Sequence, residues 1–126
     1  MAEKILIIGA GIGGLCSALL LAPSGREIVM IERDGPLDSS DPDVIFRDWK
    51  RNGVAHLRQS HAFLARLRMI MKEEHPALLE QLLAHGAREL SFDIWLTEQL
   101  REDYRSAPGD EDLTIITSRR TTLEMT

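Results

Sequence analysis

A chain of 126 residues has the length of one domain with its own core and not of two. With 44% hydrophobic and 28% charged residues it has the composition of a folded globular protein, not of a disordered one. The net charge of -5 argues against nucleic-acid partners, which need Lys and Arg gathered on one face. Cys16 is the sole cysteine, which excludes an internal disulfide and a cysteine metal set and fits a reducing cytoplasm.

Taken in chain order, Lys4 to Ile8 is a short isoleucine-rich run ending at glycine, the pattern of a parallel strand buried on both faces. Leu15 to Leu21 reads as a helix that Pro23, Ser24 and Gly25 stop. Glu27 to Ile31 is a second β-rich run closed by Glu32 and Arg33, so a strand–helix–strand unit is expected over 4–33, with parallel strands near 4–8 and 28–32. The uncharged run from Ile5 to Ala22 also resembles a signal peptide or membrane anchor. Gly9, Gly11, Gly13 and Gly14, bunched in the middle of it, count against a spanning helix, since each costs roughly 1 kcal/mol relative to alanine. A membrane partner is not expected.

Asp34-Gly35-Pro36 is a turn signal, and the acidic, serine-rich stretch to Asp43 reads as a mobile surface loop. Leu57, Leu64, Leu67 and Met71 recur at helical spacing, which predicts an amphipathic helix over 57–72. Pro76 opens a second helix with a stripe of Leu78, Leu79, Leu82 and Leu83, ending at Gly86, and the two form a helical hairpin over about 56–85. Arg88 to Leu96, with Phe92, Ile94 and Trp95, and the run Leu113 to Thr117 have strand character. The expected fold class is α/β: a Rossmann-like βαβ unit, a helical hairpin and the start of a second small sheet.

Gly9-Ala10-Gly11-Ile12-Gly13-Gly14 fits GxGxxG, a turn that brings backbone against a pyrophosphate. Gly9 permits the tight turn out of the strand, Gly11 leaves the phosphates room, and Gly14 lets the helix lie close to the sheet. The helix N-terminus supplies N–H donors and a positive dipole end. Glu32, 18 residues beyond Gly14 at the end of the second strand, is placed to accept hydrogen bonds from ribose hydroxyls, and it disfavours the 2′-phosphate of NADP. A glycine turn with no ligand is the plainer alternative. FAD and NAD both present an ADP half, and this motif does not separate them.

The run Ile7 to Leu15 with the Glu32-Arg33 pair resembles the N-terminus of FAD-dependent monooxygenases related to aromatic and polyprenyl-phenol hydroxylases. Gly53-Val54 followed by Leu57 to Leu64 is similar to that family's second-helix motif, and Asp110 to Glu124, with Ser118-Arg119-Arg120 and Leu123-Glu124, is similar to a later one. The resemblance implies that FAD is the cofactor and that NAD(P)H is the co-substrate. It implies that Gly9, Gly11, Gly13 and Gly14 hold the pyrophosphate, that Glu32 binds the ribose, that Arg33 lies beside the adenosine, and that Arg58 approaches the phosphates. Arg58 reads equally well as an exposed helix arginine. The family is three or more times longer, and its later Gly-Asp motif is not matched, because Gly109-Asp110 lies in a polar loop. Residues 1–126 are therefore expected to be the N-terminal part of a FAD-binding domain, a fragment not active alone, with the start of substrate-domain strands at about 88–117. The substrate is not legible, and no residue is assigned a catalytic role.

His56 and His61, five residues apart and about 140° around a helix, cannot clamp one metal. Cys16 reads as a small residue packed on the sheet. Two function classes follow: a flavin oxidoreductase that uses NAD(P)H and oxygen, or a non-catalytic nucleotide-binding module or relic.

Overall fold

The structure is a computed structural model that describes residues 3–36 and 38–126. Strand β1 (Lys4–Ile8) is followed by helix α1 (Ile12–Leu21), a 3-10 turn at Ala22–Ser24 and strand β2 (Glu27–Ile31). Gly25, with φ of 69°, turns the chain back toward the sheet. The two strands pair in parallel, Lys4 opposite Glu27 and Ile8 opposite Ile31. The pattern alternates: Ile5, Ile7, Ile28 and Met30 are partly covered, whereas Leu6, Val29, Ile31 and Ile8, the last 79% exposed, lie open on the other face. Burial on both faces, expected of this sheet, is therefore found on one. Cys16 is exposed on α1 and does not pack on the sheet as its size suggested.

The stretch after β2 departs from the expected loop. Helix α2 (Pro42–Asp48) forms there, with the Asp41 carboxylate accepting from the N–H groups of Asp43 and Val44 and with Pro42 in its first turn, a favoured way to start a helix. Of the loop expected over 34–43, Leu37 lies outside the described residues.

The amphipathic helix expected over 57–72 is also corrected. Helix α3 spans Ala65–Glu74, and ahead of it Ser60–Phe63 is strand β3. Ser60, His61, Ala62 and Phe63 alternate in exposure, and the strand finds an antiparallel partner far along the chain that local spacing does not reveal. Helix α4 (Pro76–Ala84) follows and packs against α3, and Gly86 adopts φ of 98° after its end. Strand β4 is confined to Arg88–Leu90, and Phe92 to Trp95, expected as strand, coil into a 3-10 turn. Helix α5 (Glu98–Asp103) occupies the polar stretch. Strand β5 (Ile115–Arg119) and helix α6 (Arg120–Met125) close the chain.

β3, β5 and β4 form a three-stranded antiparallel sheet with β5 in the centre. Its core joins Leu82 and Ile116, both at 0% exposure, to Met71, Leu79 and Ala87, with Leu78, Leu83 and Leu123 around them. The leucine stripe of α4 is thus in the core. Helix α6 runs on from β5 and touches both α2 and α1, which brings residues 120–124 to the beginning of the chain.

Candidate functional site

A cleft of about 510 Å³ opens where β1 and β2 end side by side. Ile8, Gly9 and Gly11 line one side, Ile31 to Asp34 another, and Arg51, Gly53 and Val54 the rest. Backbone closes its floor: the N–H of Gly9 donates to the carbonyl of Ile31 at 2.8 Å.

The glycines take three different parts. Gly9 has φ of 101°, a conformation that side chains strongly disfavour. A Cβ on Gly14 would lie 1.9 Å from the Gly9 carbonyl oxygen, so only glycine lets α1 start this close to the turn. At Gly11 a Cβ would meet nothing nearer than Nη2 of Arg120, at 3.8 Å, and at Gly13 it would meet nothing within 4 Å. The space beside Gly11 is open, and its far side carries a guanidinium. Gly11 is also the N-cap of α1, with no side chain capping the helix, so first-turn donors remain for an anion.

Glu32 reaches across from the end of β2. Its Oε2 accepts from the N–H of Ala10 at 2.7 Å and from Nη2 of Arg51 at 2.5 Å, and its Oε1 accepts from the N–H groups of Arg33 and Asp34 at 2.7 and 3.1 Å. These donors hold the carboxyl at about 2, against a usual 4.5. The Asp34 N–H has the largest effect and that of Ala10 the next; the Arg33 N–H and the Arg51 charge add to it, and desolvation opposes it. Glu32 is ionised at neutral pH. Four donors occupy the four lone-pair positions of a carboxylate, so ribose hydroxyls would exchange with one or more of them.

Arg51 sits behind Glu32 with its side chain 4% exposed. Nη1 donates to the Ala10 carbonyl at 3.1 Å and to Oε2 of Glu124 at 2.5 Å, while Nε has no hydrogen-bond partner and stands 3.7 Å from Oδ2 of Asp34. The Arg51 guanidinium also lies over the Trp49 ring, 5.1 Å from its centroid. The Glu124 side chain is at 0% exposure and accepts a second bond at Oε1, from Nε of Arg120 at 2.8 Å. One chain of charges, Glu32–Arg51–Glu124–Arg120, buried at Arg51 and Glu124, therefore runs from the Glu32 carboxylate to the space beside Gly11.

The structure brings Gly9, Gly11, Gly13, Gly14 and Glu32 together at one turn. Arg33 lines the same cleft, and its guanidinium occupies the space that a side chain on Gly53 would fill, 2.6 Å from that Cβ position. Arg58 is elsewhere. Its Nη2 donates to the carbonyls of Arg47 and Trp49 at 2.8 and 3.0 Å, closing the end of α2, and it is not among the residues that line the cleft. It lies in a turn, not on a helix, because the chain there is entering β3. His56 and His61, set apart by the helical reading, come together with ring centroids 5.2 Å apart.

Sequence reasoning missed Arg51 and Asp34 in the cleft lining and Arg120 beside Gly11. Arg51 is one of several nearby arginines, and nothing local distinguishes it. Arg120 and Glu124 fall within a motif whose place beside the glycine turn depends on β5 and α6 returning to it.

Among the described residues no helix is long and apolar enough to cross a membrane. No curated protein matches the chain. A family model described as an NAD(P)-binding Rossmann-like domain matches residues 7–72, just over half of the chain, from within β1 through the glycine turn, Glu32 and Arg51 to α3. The α/β architecture with its parallel βαβ start agrees with that match, and the chain belongs to the NAD(P)-binding Rossmann-like domain family.

Proposed function

We propose that the chain is the FAD-binding portion of a flavin-dependent oxidoreductase, one that uses NAD(P)H and oxygen as a monooxygenase does. The observation that carries the dinucleotide reading is the junction of two features in one cleft, an uncapped α1 N-terminus at Gly11 and the ionised Glu32, with the Arg120 guanidinium beside Gly11. The residues fit an ADP-containing group. Gly11, Gly13 and Gly14 receive the pyrophosphate on backbone N–H groups at the start of α1, Gly9, whose own N–H is bonded to the Ile31 carbonyl, makes the turn that admits it, Glu32 accepts the ribose hydroxyls, and Arg33 borders the adenosine. Arg120 adds the positive charge that the family resemblance implies for Arg58. The choice of FAD over NAD is supported by the resemblance of the Gly53 to Leu64 and Asp110 to Glu124 segments to flavin monooxygenases.

The flavin supplies the redox chemistry when bound, and the protein supplies binding, orientation and electrostatics. Glu32, ionised throughout the neutral range, binds and does not exchange protons, and we assign turnover to no residue of this chain. A reducing cytoplasm is the compartment that its single cysteine fits.

Titration of the purified protein with FAD, followed by flavin fluorescence, and with NAD, followed by calorimetry, tests the reading. FAD binding at least about tenfold tighter than NAD is expected, a difference of about 1.4 kcal/mol. Preference for NAD overturns the flavin assignment, and binding of neither overturns the site.

A further inference from the structure

Arg120 is a long, flexible side chain, and a guanidinium useful to a phosphate has to be held before the ligand arrives. Two of its three nitrogens are engaged. Nε donates to Oε1 of buried Glu124 at 2.8 Å, and Nη1 meets Nε2 of His56 at 2.5 Å. The third, Nη2, is the atom that faces Gly11, 3.8 Å from the position of a Cβ there. Because arginine only donates, Nε2 of His56 is the acceptor in this pair. The His56 ring is backed by that of His61, which is itself tied through Nδ1 to the Gln59 carbonyl at 3.1 Å and stacked on Phe63 at 6.1 Å. The backbone also holds this corner, since the N–H of Arg120 donates to the carbonyl of Gln59.

We propose that His56 is a positioning residue for nucleotide binding: through Nη1 it orients the Arg120 guanidinium so that Nη2 points at the phosphates on the Gly9 to Gly14 turn. The inference rests on the reading of the cleft as a dinucleotide site. Glu124 alone fixes one edge of the guanidinium plane, and His56 fixes its rotation. His56 acts on phosphate before the nucleoside, because its partner Arg120 itself faces Gly11, whereas Glu32 is reached only through Glu124 and Arg51.

The test compares ADP with adenosine on the full chain, by calorimetry for ADP and by chemical-shift titration for adenosine. His56→Ala is expected to weaken ADP about three- to tenfold, the effect of leaving one rotamer-rich side chain to be ordered on binding, and to leave adenosine within about twofold. His56→Gln, whose amide oxygen can accept from Nη1, restores ADP affinity. In an Arg120→Ala background, His56→Ala has no further effect on ADP. Unchanged ADP affinity in His56→Ala, equal losses for ADP and adenosine, or a loss that persists without Arg120 overturns the assignment while leaving the cleft intact. Failure of the wild-type chain to bind ADP overturns the cleft reading and this inference with it. Melting temperatures of all variants are read alongside; His56 is exposed, and a His56→Ala chain that unfolds while His56→Gln binds ADP no better than Arg120→Ala also overturns it.

Discussion

Arg51 and Glu124, 73 residues apart in the chain, meet at 2.5 Å with both side chains almost wholly buried. The pair fastens α6 to the backbone of the glycine turn, since the same Arg51 nitrogen also binds the Ala10 carbonyl. Removing one partner of a buried ion pair strands the other charge. Arg51→Met is expected to destabilise the fold by about 3 kcal/mol in urea unfolding, and Arg51→Met with Glu124→Gln by less than the sum of the two single changes. Additive losses would show that the two side chains do not interact.

Gly14→Ala tests the close approach of α1 to the turn. The added methyl would lie 1.9 Å from the Gly9 carbonyl, so α1 must shift or the turn must open. The expected cost is about 3 kcal/mol, at the upper end of overpacking changes. Gly13→Ala, with nothing within 4 Å of its Cβ, is expected to be neutral or slightly stabilising, because alanine favours the helix. Equal melting temperatures for the two variants would contradict the packing described.

Glu32 predicts a pH dependence of stability. Its carboxyl is lower in the folded state, at about 2, than the usual 4.5, so the unfolded chain binds the proton more readily. The contribution of Glu32 is therefore complete above about pH 5 and is lost as the pH falls from about 4.5 toward 2. Glu32→Gln should shallow that acid limb in unfolding measured from pH 7 to 2. An unchanged acid limb would show that the N–H groups of Asp34 and Ala10 do not hold the carboxylate.

Arg58 and Arg120 separate what the sequence suggested from what the fold places. Arg58→Ala loses the bonds that close α2 and is expected to cost about 1 kcal/mol of stability with ADP affinity within about twofold. Arg120→Ala is expected to weaken ADP about tenfold, a charge-assisted phosphate contact being among the stronger hydrogen bonds. The reverse pattern in calorimetric titration would return the phosphate role to Arg58.

The βαβ start was legible because each of its signals is local. An apolar run ending in glycine, the GxGxxG spacing and a carboxylate at the end of the next strand lie within about 30 residues of one another, and the strand limits and Glu32 follow from them. The leucine stripe of α4 was legible for the same reason. What sequence missed depends on distant partners: β3 is a strand because β5 pairs with it, although Leu57, Leu64 and Leu67 sit at helical spacing around it. Arg51 likewise resembles its neighbours in sequence and is distinguished only by Glu32 and Glu124 closing on it. Helix α2 did carry a local signal, Asp41-Pro42, hidden by the acidic, serine-rich composition around it.

The dinucleotide reading is most directly tested at Gly11, where a side chain has room in the protein but none beside a bound pyrophosphate. Calorimetric titration of ADP into wild type and Gly11→Val, with melting temperatures measured in parallel, separates folding from binding. The expected result is similar melting with ADP affinity lowered at least about a hundredfold, a loss of about 2.7 kcal/mol or more. A Gly11→Val chain that binds ADP as tightly as wild type contradicts the placement of the phosphates on this turn.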